Sequence, residues 1–222
     1  MRFLFTISAL LLSLFALAAW CGGAPHSSEV VQPFRPAPAP AWPSHQTIGE
    51  VTFAAARYES DADTRPIFGK VNLNEHGVLP VLLIVENKSN QSLLLDQMKV
   101  QFMVPGGIRL DPTAPKDLPY LIGPKRPNTG PSYPVPIPLP RRKKLNPLAE
   151  VAIDSRAWGA KSLLPGESTH GFFYFQTEWR RKSYIYISGI REGRSLQELF
   201  FAEVPMDKPE DAKEIEPAAQ AH

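Results

Sequence analysis

The sequence predicts an all-β protein: an antiparallel β-sandwich of about seven strands with one short helix and a long proline-rich loop. Three observations predict it. Short apolar or alternating runs bounded by turn residues recur between residues 48 and 204, the pattern of strands rather than helices. Proline is abundant, 24 of 222 residues, and is tolerated in loops, edges and strand starts but not in helix interiors or central strands. A hydrophobic content of 43% is enough for a core, and strands with few helices between them pack as sheet on sheet.

The chain divides into a signal peptide (1–20), a Pro/Ala-rich linker (21–47), the sandwich domain (48–205) and a disordered C-terminal tail (206–222). Met1 and Arg2 precede an uncharged run from Phe3 to Trp20, and Ala16-Leu17-Ala18 supplies a small-residue cleavage pattern, which is the layout of a secretory signal. The same run is also at the short end of what an uncleaved anchor helix needs. Cys21 is the sole cysteine, so no intrachain disulfide and no cysteine-based zinc site exists. Its setting, LALAAWCGG, resembles the lipobox of bacterial lipoproteins, which implies lipidation at Cys21. Trp20 stands where that family has a small residue, and Ala18 where it has leucine. Ordinary cleavage after Ala18 or Ala19, leaving a free thiol, is the other outcome. The segment that follows, with PFRPAPAPAWP at 33–43, reads as an extended, semi-rigid spacer.

The strands follow in order. Residues 48–58 form the first, ended by the solvated turn 59–63. Asp61 and Asp63 have the spacing of a calcium-loop start, but Arg65 stands at its fifth position and Asn72 at its twelfth, which removes the bidentate ligand. The stretch 77–104, GVLPVLLIVENKSNQSLLLDQMKVQFMV, is the expected centre of the fold. It reads as two or three adjacent strands, with 81–85 buried on both faces and 87–91 as an exposed polar turn. Two glycosylation sequons, at Asn87 and Asn90, fall in that turn. A short strand at 108–110 precedes a segment with eleven prolines from Pro112 to Pro147.

That proline-rich segment carries Lys116, Lys125, Arg126, Arg141, Arg142, Lys143 and Lys144 against the single acid Asp117, a local charge of about +6. A structureless loop of this length is either functional or disordered. One reading makes Lys125, Arg126 and Arg141–Lys144 a binding site for an anionic surface; the other makes the segment a solvated loop whose prolines block a sheet edge. Asn146 and Pro147 then have the form of a helix start, with Leu148, Val151, Ala152 and Ser155 on one face and Gly159 as its end. Trp158 is expected to plug the core. Strands at 169–177, 182–190 and 196–204 follow, the last two joined by a hairpin turn at 191–195.

The unit GVLPVLLIVENKSNQSLLLD, with LLPGESTHGFFYFQT after it, resembles a group of bacterial exported or lipoprotein domains with an immunoglobulin-like sandwich. The resemblance covers about 51–204 and implies an immunoglobulin-like fold. Its motifs are structural, so it carries over no catalytic residues.

Chemistry-bearing patterns are sparse. His26, His45, His76, His170 and His222 are scattered, without metal-ligand spacing. Gly166 to Gly171 places its second glycine one position late for a hydrolase elbow, and a strand follows it. Residues 123–130 lack the G-K-[ST] of a phosphate loop. Glu86, Asp96, Glu178 and Glu198 lie at strand ends, where a pair of them would make an acid and a base. Tyr174, Tyr184, Tyr186 and Trp179 are candidates for an aromatic sugar-binding strip. A net charge of +2 gives no field for nucleic acid. The expected function is a non-catalytic envelope binding or scaffolding module without cofactor, exported and periplasmic or membrane-anchored. It would meet an envelope protein or anionic surface and be held at the membrane by its N-terminal segment or lipid. The alternative is an exported carboxylate-based hydrolase of envelope polymers.

Overall fold

The computed structural model describes residues 33–69, 71–122, 146–209 and 211. The architecture below belongs to the unit Phe34–His222. Its strands are β1 (His45–Ile48), β2 (Val51–Arg57), β3 (Leu79–Asn87), β4 (Leu93–Leu94), β5 (Lys99–Val104), β6 (Ile108–Leu110), β7 (Ser162–Leu163), β8 (Ser168–Phe175), β9 (Tyr184–Ser188), β10 (Arg191–Glu192) and β11 (Ala202–Pro205). They form three antiparallel sheets, ordered β1-β2-β3-β8, β11-β9-β5-β6 and β10-β4-β7. The helices are short: α1 (Asp61–Phe68), α2 (Val151–Ser155) and several 3-10 turns.

The two four-stranded sheets share one core. Val51, Phe53 and Ala55 of β2, and Val81, Leu83 and Val85 of β3, point to one side. Val100, Phe102 and Val104 of β5, Ile185 and Ile187 of β9, and Val204 of β11 meet them. The opposite face of the first sheet is also buried. Ala54, Leu82, Ile84, Phe172 and Tyr174 lie under Ile67 and Phe68 of α1, Leu73, Leu118, Leu148 and Ile153. This second cluster is why β3 reads as an unbroken apolar run: both of its faces are covered.

The stretch 77–104 is not a hairpin. β3 pairs with β2 and β8, whereas β5 pairs with β6 and β9. Residues 88–98, which include β4 of the small sheet, therefore cross from one large sheet to the other instead of turning within one. A strand apolar on both faces has to sit inside a covered sheet, and β5, with Lys99 exposed and Gln101 half-buried, needs one solvated face. The two patterns belong in different sheets.

Other expectations are also revised. Residues 59–63 are not a solvated turn. Ser60 caps α1, its hydroxyl accepting the Asp63 amide at 3.1 Å, and Asp61 and Asp63 sit in the first turn, where the helix dipole favours acids. After Asn146, which accepts the Leu148 amide at 3.0 Å, the chain makes a 3-10 turn (Pro147–Ala149) and then α2, not one helix. Its buried side is Leu148 and Ile153, and Val151 is 71% exposed. Of the strand expected at 196–204, only β11 forms.

Both ends of the described unit pack more closely than a spacer and a tail would. Ala39 is fully buried, the Phe34 ring lies 5.8 Å from Phe172, and His170 Nε2 is 3.1 Å from the Phe34 carbonyl. β1 begins inside the expected linker. Met206 is 1% exposed and its amide donates to the Ser183 carbonyl at 3.0 Å. Trp158 stacks on Phe173 at 5.6 Å and packs against the shared core. Its backbone runs so close to β8 that a Cβ on Gly171 would stand 2.6 Å from the Trp158 Cα.

Candidate functional site

Three loops meet at the end of the strands marked by Val51, Asn87 and Ser168: residues 88–98, 164–167 and 189–201. The small sheet β10-β4-β7 joins them. Asn87 anchors the first two. It is fully buried; its Nδ2 donates to the carbonyls of Gln91 at 2.8 Å and Leu164 at 3.2 Å. Its Oδ1 accepts from the Ser89 amide at 3.1 Å and hydroxyl at 2.6 Å. A buried carboxamide satisfied this fully fixes loop geometry. Asn87 was expected on an exposed turn; only Asn90 of the two sequon asparagines is exposed.

The third loop closes on the first. The Gly193 amide donates to the Ser92 carbonyl at 2.8 Å, and a Cβ on Gly193 would fall 2.1 Å from Ser92 Oγ. Leu196 takes a left-handed φ of 58°, sparsely populated for a bulky residue, and its amide bonds the Glu192 carbonyl at 2.9 Å. Between these loops lies an open cleft of about 410 Å³ lined by Asn90, Gln91, Ser92, Pro165, Glu192 and Arg194. The wall is two carboxamides, a hydroxyl, a carboxylate and a guanidinium.

Three of the four acids named from the sequence, Glu86, Asp96 and Glu198, have separate partners for their carboxylates. Glu86 pairs with Lys88 at 3.2 Å, and Asp96 with Arg191 at 2.9 Å. Glu198 accepts the Gly189 amide at 2.8 Å. Glu178 contributes its carbonyl to the Thr177 hydroxyl at 3.0 Å. The Arg191 hydrogen bond holds the Asp96 carboxyl below its ordinary range, opposite to what a general acid needs. Nor do the aromatics form a strip. Tyr174 is buried under α2, its hydroxyl donating to the Ile153 carbonyl at 2.7 Å. Tyr186 stands on the second sheet, stacked 5.7 Å from Phe201. Trp179 lies beneath Arg57. Among the described residues no three His, Cys, Asp or Glu side chains group as metal ligands. Asp61 instead pairs with Arg65, and Asp63 with Lys208 at 3.7 Å.

At the opposite end of β2, Arg57 is 4% exposed. It donates to the Met206 carbonyl and, at 2.8 Å, to Asp211 Oδ1. Its Nε stands 2.5 Å from Glu59 Oε1 as an ion pair without the alignment of a hydrogen bond. Burial works to raise the Asp211 pKa, but hydrogen bonds from Arg57 and the Lys208 amide, with the charges of both residues, bring it net below the ordinary value. The segment after β11 is thereby clasped to β2 of the first sheet, and Ser44 Oγ adds a 3.1 Å bond to the Asp207 carbonyl.

Cys21, Lys125, Arg126, Arg141, Arg142, Lys143 and Lys144 lie outside the described residues. Where the chain leaves them, at 115–122 and 146–154, an apolar groove of about 390 Å³ is lined by Pro119, Leu148, Val151 and Ile153 among others. Among the described residues no helix is long and apolar enough to cross a membrane. The cleft residues Asn90, Gln91, Ser92 and Arg194 and the buried Arg57 were missed as site residues. Their signals were two short polar, turn-forming stretches, NQS and EGR, and a lone arginine ending an apolar strand two places before Glu59. No family model, no curated protein and no solved structure matches this chain.

Proposed function

We infer that this protein is a non-catalytic binding or scaffolding module of the cell envelope that engages its partner through the loop end of an immunoglobulin-like sandwich. The observation that carries this reading is the polar cleft between three loops, held by Asn87 and the β10-β4-β7 sheet. Loops positioned by a rigid sheet frame are where binding residues concentrate.

The strand orders support the immunoglobulin-like assignment. In one sheet β2-β3-β8 correspond to A-B-E, and in the other β6-β5-β9-β11 correspond to C′-C-F-G. The loops 88–98 and 189–201 are then B–C and F–G, which share one end of such a sandwich. Export rests on residues 1–20, and membrane attachment on lipidation at Cys21.

The test has two arms. The full chain and a Cys21→Ala variant are expressed in a bacterium with radioactive palmitate and fractionated. Label on the wild type alone, in the membrane fraction, supports the lipoprotein; label on both, or on neither, removes it. The purified protein is then sedimented with isolated envelope fractions. Co-sedimentation without release of soluble fragments supports a binding module. Fragment release that tracks protein concentration overturns it in favour of the hydrolase.

A further inference from the structure

We propose that the loop-end cleft receives an extended peptide segment and reads its main chain, with Asn90, Gln91, Ser92, Glu192 and Arg194 supplying the hydrogen bonds. The proposal rests on the binding-module reading above and adds the chemical class of the ligand.

The first ground is bonding capacity that no other protein group takes up and that a ligand can claim from solvent. Among the described residues, the side chains of Asn90, Gln91, Ser92 and Arg194 have no hydrogen-bond or ionic partner, although all line the cleft. Of the fifth polar lining group, Glu192, one carboxylate oxygen accepts the Ser195 hydroxyl at 2.5 Å. Each carboxamide offers both a donor and an acceptor, the hydroxyl does the same, the guanidinium donates and the carboxylate accepts. A peptide main chain presents the same alternation of N–H and C=O. An extended segment leaves both unpaired, as a sheet edge does.

The second ground is what the wall lacks. It holds one cation and one carboxylate, so it is not a basic patch for an anionic surface. It holds no aromatic ring, so a sugar finds no stacking platform. Pro165 is the apolar ledge. The volume of about 410 Å³ falls within the range of small-ligand clefts, about 300–1,000 Å³, enough for a few residues of chain.

The third ground is that the walls are fixed before a ligand arrives. Asn87 holds the 88–92 loop, the Gly193–Ser92 contact holds the 189–201 loop against it, and Leu196 keeps its left-handed φ inside that loop with its side chain 56% exposed. An unfavourable backbone conformation that persists marks a loop over-determined by its surroundings, and a pre-set loop loses less entropy on binding.

The test uses the full chain against an array of capped, uncharged hexapeptides. The strongest binder is then titrated into ¹⁵N-labelled protein beside its N-methylated copy and beside N-acetylglucosamine hexamer. The expected result is amide shifts at Asn90, Gln91, Ser92 and Arg194 with the peptide. N-methylation should weaken binding at least tenfold, and an Asn90→Ala/Gln91→Ala double variant of unchanged Tm at least fivefold. Raising salt from 50 to 500 mM should change affinity less than threefold. No bound peptide, shifts elsewhere on the surface, equal binding of the N-methylated copy, or cleft shifts with the saccharide alone each overturn the proposal. Envelope co-sedimentation read on the same double variant separates the two claims. If the wild type co-sediments and the double variant does not while peptides fail, the ligand class falls and the module stands; co-sedimentation that persists in the double variant removes the cleft as the module's contact.

Discussion

The Arg57 guanidinium lies 3.8 Å over the Trp179 ring, a charge at the end of the core strand β2 sandwiched between an indole and the chain that follows β11. The same group binds the Met206 carbonyl, Asp211 and Glu59. One buried cation thus joins the first sheet to the last described residues of the chain. Arg57→Ala leaves the Met206 carbonyl without the guanidinium donor and Asp211 without its buried counter-charge, with the Lys208 amide still bonded to it. Breaking such a pair from one side costs about 3 kcal/mol. Urea denaturation followed by tryptophan fluorescence checks it; a loss below about 1 kcal/mol, the level of an exposed pair, would show that the clasp does not hold the fold.

The clasp has a defined pH dependence. The Asp211 carboxyl is held net below the ordinary aspartate value of 3.8. Its folded pKa lies below the unfolded one, so its stabilisation is present above about pH 4 and disappears as pH falls through the folded value. Asp211→Asn is expected to flatten that acid-side loss between pH 5 and pH 2 while changing little between pH 6 and 8 beyond a constant offset. Parallel melting curves for the two proteins across that range settle the matter.

At the alkaline end Tyr58 acts with the opposite sign. Burial, with a contribution from Asp63, raises its pKa to about 12 from 10.0. The unfolded chain therefore releases this proton first, and stability falls as pH rises from about 10 towards 12. Tyr58→Phe should remove part of that decline. Phenolate absorbance of the folded wild type should show Tyr58 and the more deeply buried Tyr174 titrating later than free tyrosine, and Tyr58→Phe should remove the earlier of these two late steps.

Asn87 serves structure and is closed to modification. In a eukaryotic secretory host, glycan is expected at Asn90 and not at Asn87, because the Asn87 Nδ2 is buried and already donates to Gln91 and Leu164. Peptide mass spectrometry reads the site directly. Asn87→Ala leaves buried carbonyls without donors and should cost about 2 kcal/mol, seen as a lowered urea midpoint with an unchanged slope.

Gly171 is fixed by the approach of another backbone. An alanine methyl would stand 2.6 Å from the Trp158 Cα, which neither chain can relieve by a rotamer change. Gly171→Ala should destabilise by about 2 kcal/mol or more and disturb the Trp158–Phe173 stack, visible in the near-ultraviolet circular dichroism. Gly159→Ala, with nothing within 4 Å of the added methyl, is the matched control and should be near neutral.

Strand positions could be read because burial leaves a local trace. The unbroken run 81–85 announced a strand covered on both faces, and α1, Leu118 and Leu148 supply the cover. The alternation of Tyr184, Tyr186 and Ser188 with Ile185 and Ile187 announced one wet face and one dry one. Local rules misled where two structures satisfy the same residues. Ser60 followed by Asp61 and Asp63 suits a polar turn and equally caps a helix. Val151 fitted a helical spacing, yet the 3-10 turn before it shifts the register and Ile153 takes the buried place.

The sequence alone determined that this is a β protein, that the strand at 81–85 is covered on both faces, and that its chemistry-bearing side chains form no familiar catalytic pattern; that β2 and β8 are also covered on both faces it did not show. Periodicity carries that information because a strand's two faces are set by neighbours in the chain. The tertiary structure decided that β3 and β5 part into different sheets, that NQS at 90–92 meets EGR at 192–194, and that Arg57 finds Met206 and Asp211. The last two are pairings between residues about a hundred or more positions apart. They are fixed by which apolar faces must cover one another, a condition that no local stretch of sequence contains.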